Sequence, residues 1–273
     1  MSLKTEISNL IWHIESGVDV LYGDSALNFK KKSFENNEPD FLLNDNLKKS
    51  SSKNSLSLKD NFSSTLPTLN AIEEAKKLAD GSDQLKILEK KIKSFNGLTL
   101  CHLANNTVFS DGNPHSPLMI IGEAPGADED KFGKPFVGPA GKLLDKMLQA
   151  IERDRSNTYI TNIVFWRPPG NRKPTDEEIS ICLPLVKKHI SLVKPKILVL
   201  LGGIASQALL GVNEGIMRLR GKWHKLDVSG IENSLDVMPM YHPAFLLRQP
   251  SHKRDAWEDL KSIKKKLQKN INL

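Results

Sequence analysis

The stretch LMIIGEAPGADEDKFGKPFVGPAG, residues 118–141, joins a short apolar run to a loop rich in glycine and proline. The run LMIIG has the length and composition of a buried β-strand. The loop over residues 121–141 holds five glycines, three prolines and several acids, so it is too polar for a core. A strand that opens into such a loop favours a fold in which loops at strand ends hold a ligand.

Strand and helix patterns alternate from about residue 96 onward. Strands are predicted at LMIIG, TYITNIV, KILVLLG and DVMPMYH, and helices at AGKLLDKMLQAI, TDEEISICLPLVKKHISLV and GIASQALLG. Thr175 begins the second of these helices and Gly211 ends the third. This alternation predicts the α/β class, with a mostly parallel sheet covered on both faces. A final helix is expected from about His252, with one apolar stripe formed by Trp257, Leu260, Ile263 and Leu267.

The first third of the chain divides into three predicted segments. Residues 1–23 place Ile7, Leu10, Ile11 and Ile14 at helical spacing, which predicts a short amphipathic helix. Residues 24–68 are rich in Asn, Ser and Lys and poor in large apolar groups, so we expect a disordered tether. Residues 69–95 resume helical periodicity and lead into a single domain over residues 96–270.

Composition sets broad limits on function. The chain has 273 residues, 39 Lys+Arg against 32 Asp+Glu, a formal charge of +7 and a pI near 9.2. This basic balance suits a polyanionic partner, and it equally suits a solvated surface. No apolar run approaches the roughly 20 residues of a membrane span, and the start MSLKTEISNL lacks a signal-peptide core, so we expect a cytoplasmic protein with no membrane partner.

Three polar loops are expected to meet in one pocket, because ligands of open α/β sheets bind beyond the carboxyl ends of the strands. They follow Ile121, Tyr159 and Met240. The first loop reads GEAPG, which matches neither G-x-G-x-x-G nor the P-loop, so a phosphate cradle is disfavoured. Its glycines allow close approach of a flat ligand, and Phe136 is then either an aromatic face for that ligand or a core anchor.

Two polar residues at strand ends have both a functional and a structural interpretation. The amide of Asn162 matches the N3–H and O4 edge of uracil, and rotated by 180° it matches cytosine, so neighbouring groups must fix it. Asn162 is otherwise a turn-capping residue. His242 is either a donor to a developing anion or a satisfied structural histidine. The cations Arg167, Arg172, Arg248 and Lys253 suit phosphate contacts, or they form a solvated rim.

Taken together, these loops resemble a known family. The blocks GEAPGADEDKFGKPFVGPAG, YITNIVFWRPPGNRKPTDEEI, LLGGIASQALLG, RLRGKWH and YHPAFLLR are similar, in order and spacing, to the family 4 uracil-DNA glycosylases. The resemblance covers roughly residues 95–270 and leaves out the tether. It implies a three-layer α/β/α fold and a monomeric DNA repair enzyme that excises uracil from DNA. The alternative is a non-catalytic module that binds uracil or deaminated bases.

The resemblance also implies a role for each site residue. Glu123 and the backbone around Gly122 to Gly126 line the water and sugar side, and Phe136 stacks on the flipped base. Asn162 reads the base edge, and His242 contacts uracil O2. Leu246 and Leu247 occupy the positions where the loop of the family enters the duplex.

The cysteines depart from the family pattern. Members usually hold a [4Fe-4S] cluster on four cysteines, and this chain has two, Cys101 and Cys182. Leu98 stands at the first cluster position and Trp166 at the third. Two thiolates cannot complete a four-ligand cluster. We therefore expect that no cluster is bound and that Leu98 and Trp166 fill its volume.

Overall fold

A computed structural model describes residues 62–271 of the chain, and the side chains of residues 68–269. The predicted helix in residues 1–23 and the predicted tether up to residue 61 lie outside the described residues. Across residues 62–271, no helix has the length and apolar character that a membrane span requires.

One six-stranded sheet organises the described residues. Its strands are β1 (Asp111–Gly112), β2 (Leu118–Gly122), β3 (Tyr159–Asn162), β4 (Ile197–Leu201), β5 (His224–Leu226) and β6 (Leu235–Met240). They lie in the order β1-β3-β2-β4-β6-β5, where β3, β2, β4 and β6 are parallel and the edge strands β1 and β5 are antiparallel. The prediction of a mostly parallel sheet is confirmed.

Helices connect the strands. They are α1 (Phe62–Asp80), α2 (Leu85–Lys93), α3 (Leu100–Leu103), α4 (Ala127–Phe132), α5 (Pro139–Gln149), α6 (Asp176–Val193), α7 (Gly203–Leu210), α8 (Ile216–Leu219), α9 (Pro243–Arg248) and α10 (Lys253–Ile271). Short 3₁₀ turns occur at Pro169–Asn171 and Pro250–His252.

Two apolar cores cover the two faces of the sheet. On β2, Met119 and Ile121 join a core with α1, α2, α6 and α7, whereas Leu118 and Ile120 join another with α5, α9 and α10. Alternation of side chains along a strand produces this separation. The result is the three-layer α/β/α arrangement that the resemblance implied.

Local sequence explains where two helices begin and end. Thr175 precedes α6, and its hydroxyl accepts the Glu178 N–H at 3.2 Å while the Glu178 carboxylate accepts the Thr175 N–H at 2.8 Å. This reciprocal pair is a capping box, and it satisfies backbone donors that the first turn leaves free. Gly211 follows α7 with φ of 67°, a left-handed conformation that glycine adopts without strain.

Two expectations about helices require correction. Helix α1 begins at Phe62, inside the segment predicted as a tether. Ala71, Ala75 and Ala79 form a buried stripe on this helix, and such tertiary packing stabilises helices that composition alone does not predict.

The apolar stripe of α10 is also narrower than predicted. Leu260, Ile263 and Leu267 are buried, whereas Trp257 is 42% exposed. Ala256 lies at the centre of the stripe and is buried, and the next residue is rotated by about 100° around the helix. Trp257 therefore lies at the edge of the stripe, with its indole partly in solvent.

Candidate functional site

The loops after β2, β3 and β6 converge on one cavity of about 470 Å³. They follow parallel strands, whose carboxyl ends share one edge of the sheet. Backbone hydrogen bonds continue past the strand ends, from Ile163 N–H to the Gly122 carbonyl at 2.9 Å and from Val164 N–H to the Glu123 carbonyl at 3.1 Å. Of the predicted site residues, the cavity is lined by Glu123, Phe136, Asn162, Arg172, His242 and Arg248.

Phe136 is buried against this cavity in an uncommon backbone conformation. Its side chain is 4% exposed, its φ is 55°, and its ring centroid lies 5.6 Å from that of His242 at an interplanar angle of 30°. A Cβ at Gly122 would overlap both the Phe136 ring and the Asn162 side-chain oxygen, and a Cβ at Gly141 would overlap the Phe136 carbonyl. These two glycines therefore allow Phe136 and Asn162 to pack closely against the backbone.

Arg155 supports the backbone of Phe136 from outside the cavity. Its guanidinium donates to the carbonyl of Pro135 at 3.1 Å and to the carbonyl of Phe136. The same guanidinium forms ion pairs with Asp111 at 2.7 Å and Asp145 at 2.9 Å. A left-handed conformation at a residue other than glycine is strained by about 1–3 kcal/mol and persists only where surrounding contacts enforce it. Arg155 supplies such contacts.

Glu129 joins the two ends of the glycine-rich loop. Its carboxylate accepts the N–H groups of Gly126 at 3.0 Å, Val137 at 2.9 Å and Gly138 at 3.0 Å. The loop is consequently held at two places around Phe136. Glu129 binds the N–H groups of the two residues that follow Phe136, and Arg155 binds the carbonyls of Pro135 and Phe136.

Asn162 lines the cavity and carries an unsatisfied side-chain acceptor. The residue is 2% exposed, and its side-chain oxygen has no hydrogen-bond partner within the described part of the chain. A buried acceptor without a partner is costly, by about 1–3 kcal/mol, unless a ligand supplies the missing donor. This favours the functional interpretation of Asn162 over a turn cap.

His242 is held in one tautomer by its own backbone. Its Nδ1 accepts the N–H of Ala244 at 3.2 Å, at the start of α9. A neutral imidazole that accepts at Nδ1 carries its proton on Nε2. Burial, together with the charge of Arg248, lowers the pKa of His242 to about 4. The ring is therefore neutral near pH 7 and offers one N–H donor.

Glu123 lies half-buried on the same cavity. Burial raises the pKa of its carboxyl group above the ordinary value, and the charge of Lys173 opposes this rise. Lys173 also lines the cavity. A carboxylate and a cation thus face each other beside the aromatic, amide and imidazole groups.

The remaining predicted cations occupy different settings. Arg172 lines the cavity, but its guanidinium is paired with both oxygens of Glu178 at 2.6 and 2.8 Å. Arg248 is exposed at the cavity. Arg167 donates to the side chain of Asn171 at 2.7 Å and does not line the cavity. Lys253 lies exposed at the start of α10, also away from the cavity.

The two leucines predicted at the duplex differ sharply in exposure. Leu247 is 44% exposed, whereas Leu246 is 1% exposed and belongs to the core under α9 and α10. A buried core side chain cannot also enter a duplex, so the prediction for Leu246 is corrected, and the exposed position is that of Leu247. The cause is helical phase, because adjacent residues of α9 point about 100° apart.

The residues at the cluster positions do not fit an iron-sulfur cluster. Leu98 and Trp166 are buried in one apolar core with Cys182, and Cys101 packs against that core. Trp166 donates to the Thr107 hydroxyl at 3.0 Å. In the metal-free protein, burial raises the pKa of Cys101 to about 12 and raises that of Cys182 as well. Two thiols of this kind among apolar groups are not a four-thiolate ligand set.

Sequence reasoning missed three residues of this site. Lys173 is adjacent to the predicted Arg172, so the basic loop was the signal that pointed to it. Glu129 stands three residues after Gly126, the spacing of a capping box. Arg155 had no local signal, because its partners Asp111, Pro135, Phe136 and Asp145 are distant in sequence.

Comparison with known proteins gives a consistent result. Residues 109–261 match the Uracil DNA glycosylase superfamily. The Type-4 uracil-DNA glycosylase of Sulfurisphaera tokodaii is 37% identical over 187 residues, which cover 67% of this chain and 84% of that protein. The protein of that name from Pyrobaculum aerophilum is 37% identical over 64% of this chain and 91% of its own length. That of Saccharolobus solfataricus is 36% identical over 68% and 87%.

Proposed function

The chain belongs to the uracil-DNA glycosylase superfamily, and on this premise we propose that it extrudes uracil from DNA and hydrolyses the N-glycosidic bond, which begins base excision repair. The relatives that carry this activity in their names share more than a third of their aligned residues with it. Its substrate is uracil-containing DNA.

One observation carries the proposal. Phe136 follows α4 in the segment after β2, Asn162 ends β3 and His242 follows β6, and all three line a single cavity. Together they offer an aromatic face, an unsatisfied buried acceptor and one neutral N–H donor. A flat base with an N3–H donor and carbonyl acceptors at O2 and O4 complements all three groups, and uracil is such a base.

Extrusion of the nucleotide is nearly balanced in free energy. Removing a base from the duplex costs a few kcal/mol. Stacking on Phe136 returns about 1–3 kcal/mol. Leu247, exposed beside the cavity, holds the vacated position as a wedge. Arg248 and Lys173 contact phosphates next to the extruded nucleotide.

Chemistry then depends on charge stabilisation. As the C1′–N1 bond breaks, the sugar becomes cationic and uracil leaves as an anion delocalised over O2 and O4. The Nε2–H of His242 donates to O2, and a neutral imidazole suits this role because it keeps its proton. Glu123 orients the attacking water and, when ionised, stabilises the cationic sugar.

Three further properties belong to the proposal. The protein acts as a monomer, and the described residues of one chain supply the groups assigned to the site. A cytoplasmic location suits an enzyme that acts on DNA. No [4Fe-4S] cluster takes part, since two cysteines supply too few thiolates and the buried Leu98 and Trp166 occupy the other positions. Iron and acid-labile sulfide assays on protein purified without air check the last point, and stoichiometric amounts of both would overturn it.

The experiment that tests the function separates an enzyme from a binding module. A single strand with one uracil is incubated with the full chain and then treated with hot alkali. Strand breakage at the uracil is the expected result, because alkali cleaves an abasic site. A strand that is retarded on a native gel but intact after alkali would identify the chain as a non-catalytic binder. The same strand with thymine in place of uracil is the control.

A further inference from the structure

A second, apolar depression lies between α5 and α10. Its volume is about 210 Å³. The floor is made by buried side chains of Met147, Leu246 and Leu260, and one wall is the indole of Trp257, which is 42% exposed. We call it the Trp257 groove. It takes no part in the site described above.

The charged residues that line the Trp257 groove are all positively charged. Lys146 and Lys253 line it, and no acidic residue does. Neither lysine side chain makes an ion pair or hydrogen bond within residues 68–269, and the Trp257 N–H likewise has no acceptor there. An aromatic surface between unpaired cations is the arrangement that proteins use to bind single-stranded nucleic acid.

Two helices line both the groove and the uracil cavity. On α5, Ala140 lines the cavity and Leu143, one turn later, lines the groove. On α9, Phe245 faces the cavity and Leu246 faces the groove. One helical turn spans about 5 Å, so the two sites lie within reach of adjacent nucleotides of one strand.

We propose that the Trp257 groove is a subsite for single-stranded DNA, in which a base close to the extruded uracil stacks on Trp257 while Lys146 and Lys253 contact its phosphates. This inference rests on the proposed function, because it assumes that the strand enters the neighbouring cavity. A duplex keeps the neighbouring base stacked on its own strand, so the groove binds unpaired nucleotides and favours single-stranded substrates.

Steady-state kinetics test the subsite. The full chain and its Trp257→Ala variant are compared on a single strand with a central uracil and on the same strand in a U·G duplex. The ratio of single-strand to duplex kcat/KM is expected to fall about tenfold, mainly through KM, and Trp257→Phe, which keeps a ring, is expected to restore most of it. Leu103→Ala removes another exposed apolar side chain, 58% exposed on α3, and should leave the ratio unchanged. An unchanged ratio in Trp257→Ala would overturn the proposal.

Fluorescence supplies a test that does not depend on catalysis. A uracil-free oligothymidine is titrated into the wild type and into Trp257→Phe. Quenching in the wild type and its loss in the variant are expected, because Trp257 is the indole that the strand covers. Equal quenching in both proteins would overturn the subsite. So would an indole that is already shielded from acrylamide in DNA-free protein, which would mean that another segment of the chain fills the groove.

The two tests distinguish failure of the subsite from failure of the proposed function. Absence of uracil release from either substrate, together with Trp257-dependent quenching, would refute the glycosylase and retain the groove. Uracil release with an unchanged substrate ratio and Trp257-independent quenching would refute the groove and retain the glycosylase.

Discussion

The Nδ1 atom of His242 accepts the backbone N–H of Ala244 at 3.2 Å, so the start of α9 determines which imidazole nitrogen carries the proton. With a pKa of about 4, the ring is neutral over the physiological range, and its Nε2–H is a permanent donor. A hydrogen bond of this kind requires no proton transfer to act. It strengthens as negative charge develops on uracil, which is the condition for lowering a barrier rather than improving ground-state binding.

Removing this donor should therefore affect the rate more than affinity. We expect His242→Ala and Asn162→Ala each to reduce excision from a U·G duplex by at least about 100-fold, with duplex binding nearly intact. Single-turnover rates and gel-shift titrations measure the two quantities separately. Wild-type-like rates in both variants would remove the proposed site.

The dependence of activity on pH should report Glu123. Because burial raises the pKa of this carboxyl group, kcat/KM is expected to rise with pH through a value above the ordinary one for glutamate. Lys173 opposes the rise in pKa, so Lys173→Met should move this acid limb to still higher pH. His242 does not account for a limb above pH 5, because its pKa is about 4.

A matched control distinguishes the effect of the Lys173 charge beside Glu123 from the effect of a change in the net charge of the protein. Lys187 is exposed on α6 and does not line the cavity, so Lys187→Met removes the same charge elsewhere. We expect its pH profile to coincide with that of the wild type. A limb that stays in place in Lys173→Met would show that Glu123 does not control it.

Close packing at Gly122 gives a sharp comparison between two glycines. A Cβ at Gly122 would overlap Asn162 and Phe136, whereas a Cβ at Gly203 meets no atom within 4 Å. We expect Gly122→Ala to lower kcat/KM by about 100-fold, the scale of a displacement of about 1 Å in an active site. Gly203→Ala should keep full activity. Equal activities in the two variants would contradict the assignment of Gly122.

The sequence predicted the parts of this site that depend on strand ends. Apolar runs marked β2, β3 and β6, and parallel strands bring their carboxyl ends to one edge. Asn162 and His242 were therefore expected to meet, because each directly follows or ends such a run. The same reasoning located the glycine-rich loop beside them.

Other features depend on tertiary packing and gave no local signal. Arg155 forms ion pairs with Asp111 and Asp145, which are distant in sequence. Nothing in the sequence next to Arg155 indicates these contacts. The sequence pattern predicts Trp257 as buried, because helical spacing alone does not distinguish an apolar residue at the edge of a stripe from one at its centre. Leu246 and Leu247 are adjacent on α9 and differ only in the direction in which the helix points their side chains. The sequence pattern does not show which of the two faces solvent.

The two leucines of α9 should respond in opposite ways to the same substitution. Leu246→Ala removes a buried side chain and is expected to lower the free energy of unfolding by about 2–5 kcal/mol in urea denaturation. Leu247→Ala should leave stability close to that of the wild type and reduce duplex excision at least about tenfold, because the wedge is lost. A Leu247 variant with unchanged duplex activity would argue against the wedge.

Arg155 is expected to act on uracil excision without touching the base. Its guanidinium holds the Pro135 and Phe136 carbonyls and two carboxylates, so Arg155→Met releases the strained Phe136 backbone and leaves Asp111 and Asp145 unpaired. We expect kcat/KM to fall about 100-fold through misplacement of the ring. Arg155→Lys keeps the charge but cannot span both carbonyls, so it should restore stability more than activity. Urea denaturation and single-turnover kinetics on the three proteins compare the two effects. Loss of activity strictly in proportion to loss of folded protein would reduce Arg155 to a stabilising residue, whereas a folded Lys variant that excises uracil slowly identifies Arg155 as the residue that positions Phe136.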